Sequence, residues 1–186
     1  DRLLAAVPSD VLVVIDEAYL EYATGERLDA IARYRTHPNV CVLRTFSKAY
    51  GLAGLRVGYG IATPAVAAAL RRTGVPFGVS SIAQAAAIAS LDAADELAGR
   101  VAAVAAERDR VTLALRALGY AVPRSQANFV WLRTTDAGRE QLLGAFDAAD
   151  ILVRGYAGDG VRVTIADAAS NDRVIRVLAG LAQAAA

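Results

Sequence analysis

Lys48 is the only lysine in a chain that carries nineteen arginines, and its side chain sets it apart chemically. A guanidinium stays protonated at any useful pH, whereas an amine can lose its proton, attack a carbonyl and hold an aldehyde as an imine. Lys48 ends the apolar run Val40-Cys41-Val42-Leu43-Arg44-Thr45-Phe46-Ser47 and precedes the glycine-rich stretch Ala49-Tyr50-Gly51-Leu52-Ala53-Gly54-Leu55-Arg56. The hydroxyls of Thr45 and Ser47 stand just before it, and Arg56 follows in the same segment. A second apolar run, Val11 to Ile15, ends in Asp16-Glu17-Ala18-Tyr19. An amine, an acid, a phenol, two hydroxyls and a guanidinium therefore gather at the ends of two runs.

This is the set of groups that pyridoxal 5'-phosphate asks for. Lys48 would hold the aldehyde as an imine. Asp16 would place a fixed negative charge beside the pyridine nitrogen and keep it protonated, so that the ring can accept electrons from a substrate carbanion. Tyr19 would donate to the ring's phenolic oxygen. Thr45, Ser47 and Arg56 would supply hydroxyl and guanidinium donors to the phosphate, Arg56 through a bidentate, charge-assisted contact. Each residue alone has a plainer reading: Asp16 as a turn cap, Tyr19 as packing, Arg56 as a solvated charge, Lys48 as a remnant of arginine bias. Their joint spacing against one cofactor favours the chemical reading.

The elements that must position these groups follow from the apolar pattern. Val11 to Ile15 is a continuous run rich in β-branched residues, predicted as a strand buried on both faces of an α/β sheet. Val40 to Arg44 is the second strand, after a turn at His37-Pro38-Asn39, and Arg56 to Ala62 the third, closed by Thr63-Pro64. If the first two run parallel, their carboxyl ends open into one crevice, where such sheets bind ligands. Pro64 suits the first turn of a helix reaching Arg72, and Ser80 or Ser81 caps another through Leu91. Apolar positions from Leu97 to Leu118 recur at helical spacing over Asp95 to Leu118, with Gly119 closing the helix. Strands at Phe129 to Leu132, Ile151 to Val153 and Val161 to Ile165 alternate with helices at Gly138 to Ala149 and Asn171 to Ala184, a small α+β pattern. The boundary between the two textures falls between about residues 95 and 110 and is placed at residue 100. His37 is expected at the surface and Trp131 in the core.

Composition narrows the classes. A net charge of +1 with no basic cluster gives no general attraction to nucleic acid. No apolar stretch reaches membrane-spanning length. The single cysteine, Cys41, excludes an internal disulfide and reads as a small buried residue, so a reducing cytoplasm is the expected setting. With one histidine and one cysteine, a transition-metal site is not expected.

The segments Asp16-Glu17-Ala18-Tyr19 and Thr45-Phe46-Ser47-Lys48 through Arg56-Val57-Gly58-Tyr59 resemble the core of fold-type I, pyridoxal-phosphate-dependent aminotransferases. The similarity is greatest to the histidinol-phosphate aminotransferase family with its aromatic-amino-acid members. Ala127-Asn128-Phe129-Val130, Gly160-Val161-Arg162-Val163-Thr164-Ile165 and Asn171-Asp172-Arg173 resemble that family's small domain. The resemblance implies part of an α/β large domain over residues 1–100 and a small C-terminal α+β domain over residues 101–186. It makes Lys48 the imine-forming lysine and proton shuttle, with Asp16, Tyr19, Thr45, Ser47 and Arg56 on the cofactor. It places Arg162 on the substrate α-carboxylate, with Arg154 and Asn128 in the same pocket. Ala166 stands where the family has a glycine.

The implied activity moves an amino group between an amino acid (histidinol phosphate or an aromatic amino acid) and a 2-oxo acid such as 2-oxoglutarate, in a homodimer. Decarboxylation of an amino-acid phosphate on the same scaffold, and a non-catalytic binding or effector module, are the alternatives. Residues 1–7 read as a helix already under way, so the chain is expected to be the C-terminal part of a longer protein. Without the family's front half, weak cofactor binding and little turnover are expected.

Overall fold

The structure is a computed structural model and describes residues 1–184. The chain divides into two compact units, residues 1–21 with 25–98, and residues 22–24 with 99–186.

The first unit opens with a short helix α1 (Arg2–Ala6) and is built on a three-stranded sheet in the order β1-β2-β3, with β1 at Val13–Asp16, β2 at Val40–Thr45 and β3 at Gly58–Ala62. β1 and β2 run parallel, with Val13 opposite Val40 and Asp16 opposite Leu43; β3 returns antiparallel, with Thr45 opposite Gly58. Helix α2 (Ala30–Tyr34) starts at Asp29, whose carboxylate accepts from the Ile31 and Ala32 amides, and covers one face of the sheet. Ala30, Tyr34, Val40 and Val42 form the core there, joined by Val13 and Ile15. Full burial of each valine contributes about 1.5–3 kcal/mol.

The opposite face of β1 carries Val14, 51% exposed. The expectation of a strand buried on both faces is thus corrected: among the described residues its burial alternates. The strand also begins later than expected, because Val11 is held in a turn by a bond from its amide to the Pro8 carbonyl. Helices α3 (Pro64–Thr73), with Pro64 in its first turn, and α4 (Ser81–Asp92), capped by Ser80, follow as the sequence suggests.

Helix α5 (Ala94–Ala117) buries Val111 and Leu115 in the core of the second unit and is followed two residues on by Gly119, whose φ of 88° permits the reversal. A second sheet has the order β4-β6-β5, all antiparallel, from β4 (Phe129–Arg133), β5 (Arg154–Tyr156) and β6 (Gly160–Thr164). Val130, Leu132, Val161 and Val163 alternate onto its inner face and pack with Leu115, Phe146 and Leu178 from α5, α6 (Asp136–Asp147) and α7 (Ala168–Ala184). Buried Asn171 locks the turn after β6, donating to the Ala166 carbonyl and accepting from the Ala166 amide. Alanine at position 166 is accommodated in this way.

Three sequence expectations need correction here. Ile151 to Val153 form no strand, because the Ile151 amide closes α6 on the Phe146 carbonyl and Leu152 is 99% exposed; pairing with β6 begins only at Arg154. Trp131 is half-buried on the outer face and meets Tyr156 with ring centroids 5.4 Å apart, since alternation gives the core to its neighbours Val130 and Leu132. His37 is half-buried, and its Nδ1 is enclosed without a hydrogen-bond partner.

Candidate active site

Sheet direction gathers the candidate residues. Because β1 and β2 are parallel, Asp16 at the end of one lies beside the end of the other, which runs on into Thr45, Ser47 and Lys48. Because β3 is antiparallel to β2, its start lies at that same end and brings Arg56 with it. The expected third strand is shortened by two residues, as Arg56 adopts a left-handed conformation (φ 52°) that ends a 3₁₀ turn over Ala53–Leu55. Asp16, Thr45, Ser47, Lys48 and Arg56 all line one open cleft of about 560 Å³. Gly58 and Gly60 form part of its wall opposite Thr45 and Leu43, and a β-carbon on Gly58 would approach the Arg44 carbonyl oxygen to 2.9 Å.

The lysine segment is fixed from below. Phe46 is buried with Val57, Ala83 and Ala87, and its ring centroid lies 4.7 Å from that of Tyr50. Its amide donates to the Val57 carbonyl and its carbonyl accepts from the Leu52 amide. The Ser47 amide donates to Thr45 Oγ1 at 3.0 Å. A turn then closes from the Lys48 carbonyl to the Gly51 amide, and Gly51 has a φ of 73° that a side chain would strain. Lys48 Nζ stands 5.4 Å from the centroid of the Tyr19 ring, a cation–π distance.

Asp16 combines its plainer reading, a turn cap, with a place at the cleft wall. One carboxylate oxygen caps the following turn by accepting from the Ala18 amide at 2.9 Å, and the residue still borders the cleft. Arg56 donates from Nη1 to the Ala53 carbonyl, which leaves its other guanidinium nitrogens for an anion.

Arg154, Arg162 and Asn128 belong to the second unit. Arg154 and Arg162 are direct cross-strand partners on β5 and β6, so both side chains leave the same, outer face of the sheet. Like charges placed opposite one another repel. The Arg162 guanidinium lies over the Phe129 ring at 5.4 Å, and its Nε is buried with no hydrogen-bond partner. Arg154 is exposed and lies over Tyr156 at 5.4 Å. Paired cations with an orphaned N–H form a site suited to a carboxylate. Asn128 directly precedes β4, and its carbonyl accepts from the Ile165 amide.

The sequence reading assigned no role to Arg44 or Asp29 and named Glu17 only within a motif. Glu17 is buried and ion-paired with Arg44 at 2.9 Å, and Arg44 reaches Asp29 at 2.9 Å. The signal was available: an arginine inside the apolar run Val40 to Thr45 demands a partner, by the argument that singled out Arg162. Nearby Glu21 has its carboxyl pushed above the usual range by burial, and burial likewise raises the Tyr50 phenol.

The donor set in the cleft fits pyridoxal 5'-phosphate: an amine for the aldehyde, a carboxylate for the ring nitrogen, and two hydroxyls with a guanidinium for the phosphate. The comparisons agree. Residues 2–178 match the family model for class I and II aminotransferases. The aromatic amino acid aminotransferase of Streptomyces coelicolor is 59% identical over 180 residues, covering 95% of this chain and 49% of that protein. That of Mycobacterium tuberculosis is 56% identical over 176 residues, covering 94% and 50%. The chain thus spans about half the length of the curated relatives it matches. The crystal structure of histidinol-phosphate aminotransferase from Sinorhizobium meliloti in complex with pyridoxal-5'-phosphate matches with a TM-score of 0.86 and 34% identity, over 100% of this chain and 52% of that one. This chain belongs to the class I and II aminotransferases.

Proposed function

We propose that this chain carries the lysine-bearing part of a pyridoxal-phosphate-dependent aminotransferase that exchanges an amino group between an aromatic amino acid and a 2-oxo acid such as 2-oxoglutarate. The observation that carries this reading is the shared cleft of Asp16 and Lys48 with Thr45, Ser47 and Arg56. The aromatic substrate class rests on the relatives at 56–59% identity, which bear that name. Homodimeric assembly, a cytoplasmic setting and a division of roles at about residue 100 form part of the same proposal.

When bound, pyridoxal phosphate supplies a protonated pyridine ring that withdraws electrons from the substrate's Cα. Asp16 keeps one carboxylate oxygen clear of its turn and holds the ring nitrogen's proton with it. Thr45 and Ser47 hydroxyls, with Arg56, hold the phosphate. Lys48 Nζ would take up the proton of the substrate Cα and deliver it to the carbon of the cofactor's aldehyde group, the 1,3-shift that amino transfer requires and a general acid–base task suited to an amine. Tyr19, beside Lys48, orients that amine and donates to the ring oxygen. Arg162 and Arg154 bind the substrate carboxylate.

The test uses the full-length protein that carries this chain. Wild type incubated with pyridoxal phosphate and reduced with borohydride is expected to keep the cofactor covalently at position 48 and to aminate phenylpyruvate in preference to imidazole-acetol phosphate. Lys48→Ala is expected to lose the attachment and at least about 10³-fold in kcat. Covalent retention of the cofactor by Lys48→Ala would remove Lys48 from the reaction.

A further inference from the structure

We propose that Glu17 and Arg44 form a positioning clamp that sets the spacing between the two halves of the cofactor cleft, an inference that rests on reading that cleft as the pyridoxal-phosphate site. Asp16 stands at the end of β1, while Thr45, Ser47 and Lys48 stand at and beyond the end of β2. A planar ring held by Asp16 and anchored through its phosphate and aldehyde on the β2 side requires a fixed distance between those strand ends. The last ladder bond between them is the Glu17 amide donating to the Leu43 carbonyl at 2.9 Å. Beyond it the backbone no longer couples the two chains.

The side chains take over at that point. Glu17 follows Asp16 and Arg44 precedes Thr45, so strand alternation turns both side chains from the face that carries Asp16 and Thr45, although Arg44 also borders the cleft. Arg44 Nε donates to Glu17 Oε2 at 2.9 Å, with the two side chains 19% and 7% exposed. The second carboxylate oxygen accepts from the Ala30 amide at 2.9 Å, and Arg44 Nη2 donates to Asp29 Oδ1 at 2.9 Å. One network, buried at Glu17, therefore joins the ends of β1 and β2 to the start of α2.

A buried ion pair is a poor source of stability, since apolar residues of like volume often serve as well or better. Its value here lies in geometry. Each member is covalently adjacent to a residue of the cleft, so a shift of the pair moves Asp16 relative to Thr45 and Lys48. Glu17 is not among the residues lining the cleft and acts without touching the cofactor, whereas Arg44 borders it.

The experiment compares wild type, Glu17→Gln, Arg44→Gln, Arg44→Lys and Asp29→Asn in the full-length protein, using pyridoxal 5'-phosphate as the probe. Three quantities are read: the dissociation constant, the absorption maximum of the bound cofactor, and the Tm of the cofactor-free protein. Glu17→Gln and Arg44→Gln are expected to weaken binding about tenfold or more and to shift the absorption maximum, since misplacement by an ångström can carry penalties of that size. Arg44→Lys is expected to fall between Arg44→Gln and wild type. Asp29→Asn, which keeps the helix cap and the Glu17–Arg44 pair, is expected to match wild type.

Glu17→Gln is isosteric and carries the test if Arg44→Gln fails to fold. A lowered Tm with unchanged dissociation constant and absorption maximum overturns the clamp and leaves the cofactor reading standing. Absence of binding by wild type overturns the cofactor reading and the clamp with it.

Discussion

Arg162 shows how much one residue's surroundings say about its task. It sits on a strand whose neighbours Val161 and Val163 are buried, faces Arg154 across the ladder and leaves its Nε without a partner. An enclosed N–H without a partner costs free energy, and the proposed substrate carboxylate would supply that partner. Arg162→Lys keeps the charge but loses the fork that grips a carboxylate in two places. Replacing it is expected to lower kcat/KM for the amino acid by about 10²-fold, mainly through KM. Cofactor binding is expected to stay within a factor of about two. Steady-state kinetics beside a cofactor titration check this; an equal loss in both would assign Arg162 to the architecture of the protein instead.

At the scale of elements, the turn joining β5 to β6 is decided by Gly160. Its φ is 149°, and a β-carbon there would meet the Leu132 carbonyl oxygen at 2.2 Å and the Trp131 ring at 3.2 Å. Backbone strain and overpacking act together, so Gly160→Ala is expected to destabilise the protein by about 2–4 kcal/mol. Denaturant unfolding measures this. Since the residue opens the strand that carries Arg162, loss of substrate affinity is expected to accompany the loss of stability. The same turn is tied to α6, where Asp136 accepts from the Gly158 amide at 2.9 Å and from Arg139 at 3.0 Å. A helix start and a hairpin are thereby held by one carboxylate.

For the whole molecule, stability depends on pH through carboxylates shifted in opposite directions. Asp29, Asp136 and Asp167 are held below the usual aspartate value of 3.8, chiefly by backbone N–H donors, and Glu107 is held low chiefly by Arg110. These groups stabilise the folded state above their unfolded pKa values, and the contribution is lost as the pH falls through their lower folded values. Glu21 behaves oppositely: burial raises its folded pKa above 4.5, so its favourable contribution is present below that value and is lost as the pH rises through the folded one. Tm is therefore expected to fall on acidification below about pH 4. Glu21→Gln is expected to raise Tm near about pH 7 and to lose that advantage near about pH 3.5. Thermal scans at the two pH values check both signs. A gain for Glu21→Gln that persists in acid would trace the effect to packing.

The sequence by itself supplied the groups on which the proposed chemistry rests: a single lysine, an acid closing an apolar run, and hydroxyls and a guanidinium at spacings that suit one cofactor. It also determined the longer helices, because capping residues and apolar period are local properties; Ser80, Pro64 and Gly119 stand where the pattern puts them, whereas over short α2 it leaves helical and irregular chain both open. Tertiary structure alone decided what depends on neighbours distant in the chain. Only strand direction shows that Asp16, Lys48 and Arg56 reach one end of one sheet, since a parallel and an antiparallel strand carry the same apolar run. Only the register of β5 and β6 shows that Arg154 and Arg162 face each other, and it moves the short strand from Ile151–Val153 to Arg154–Tyr156. The inner and outer faces of β4, which separate Trp131 from Val130, follow from which side the helices cover. Glu17 and Arg44 lie 27 residues apart, and their pairing exists only because β1 and β2 end side by side.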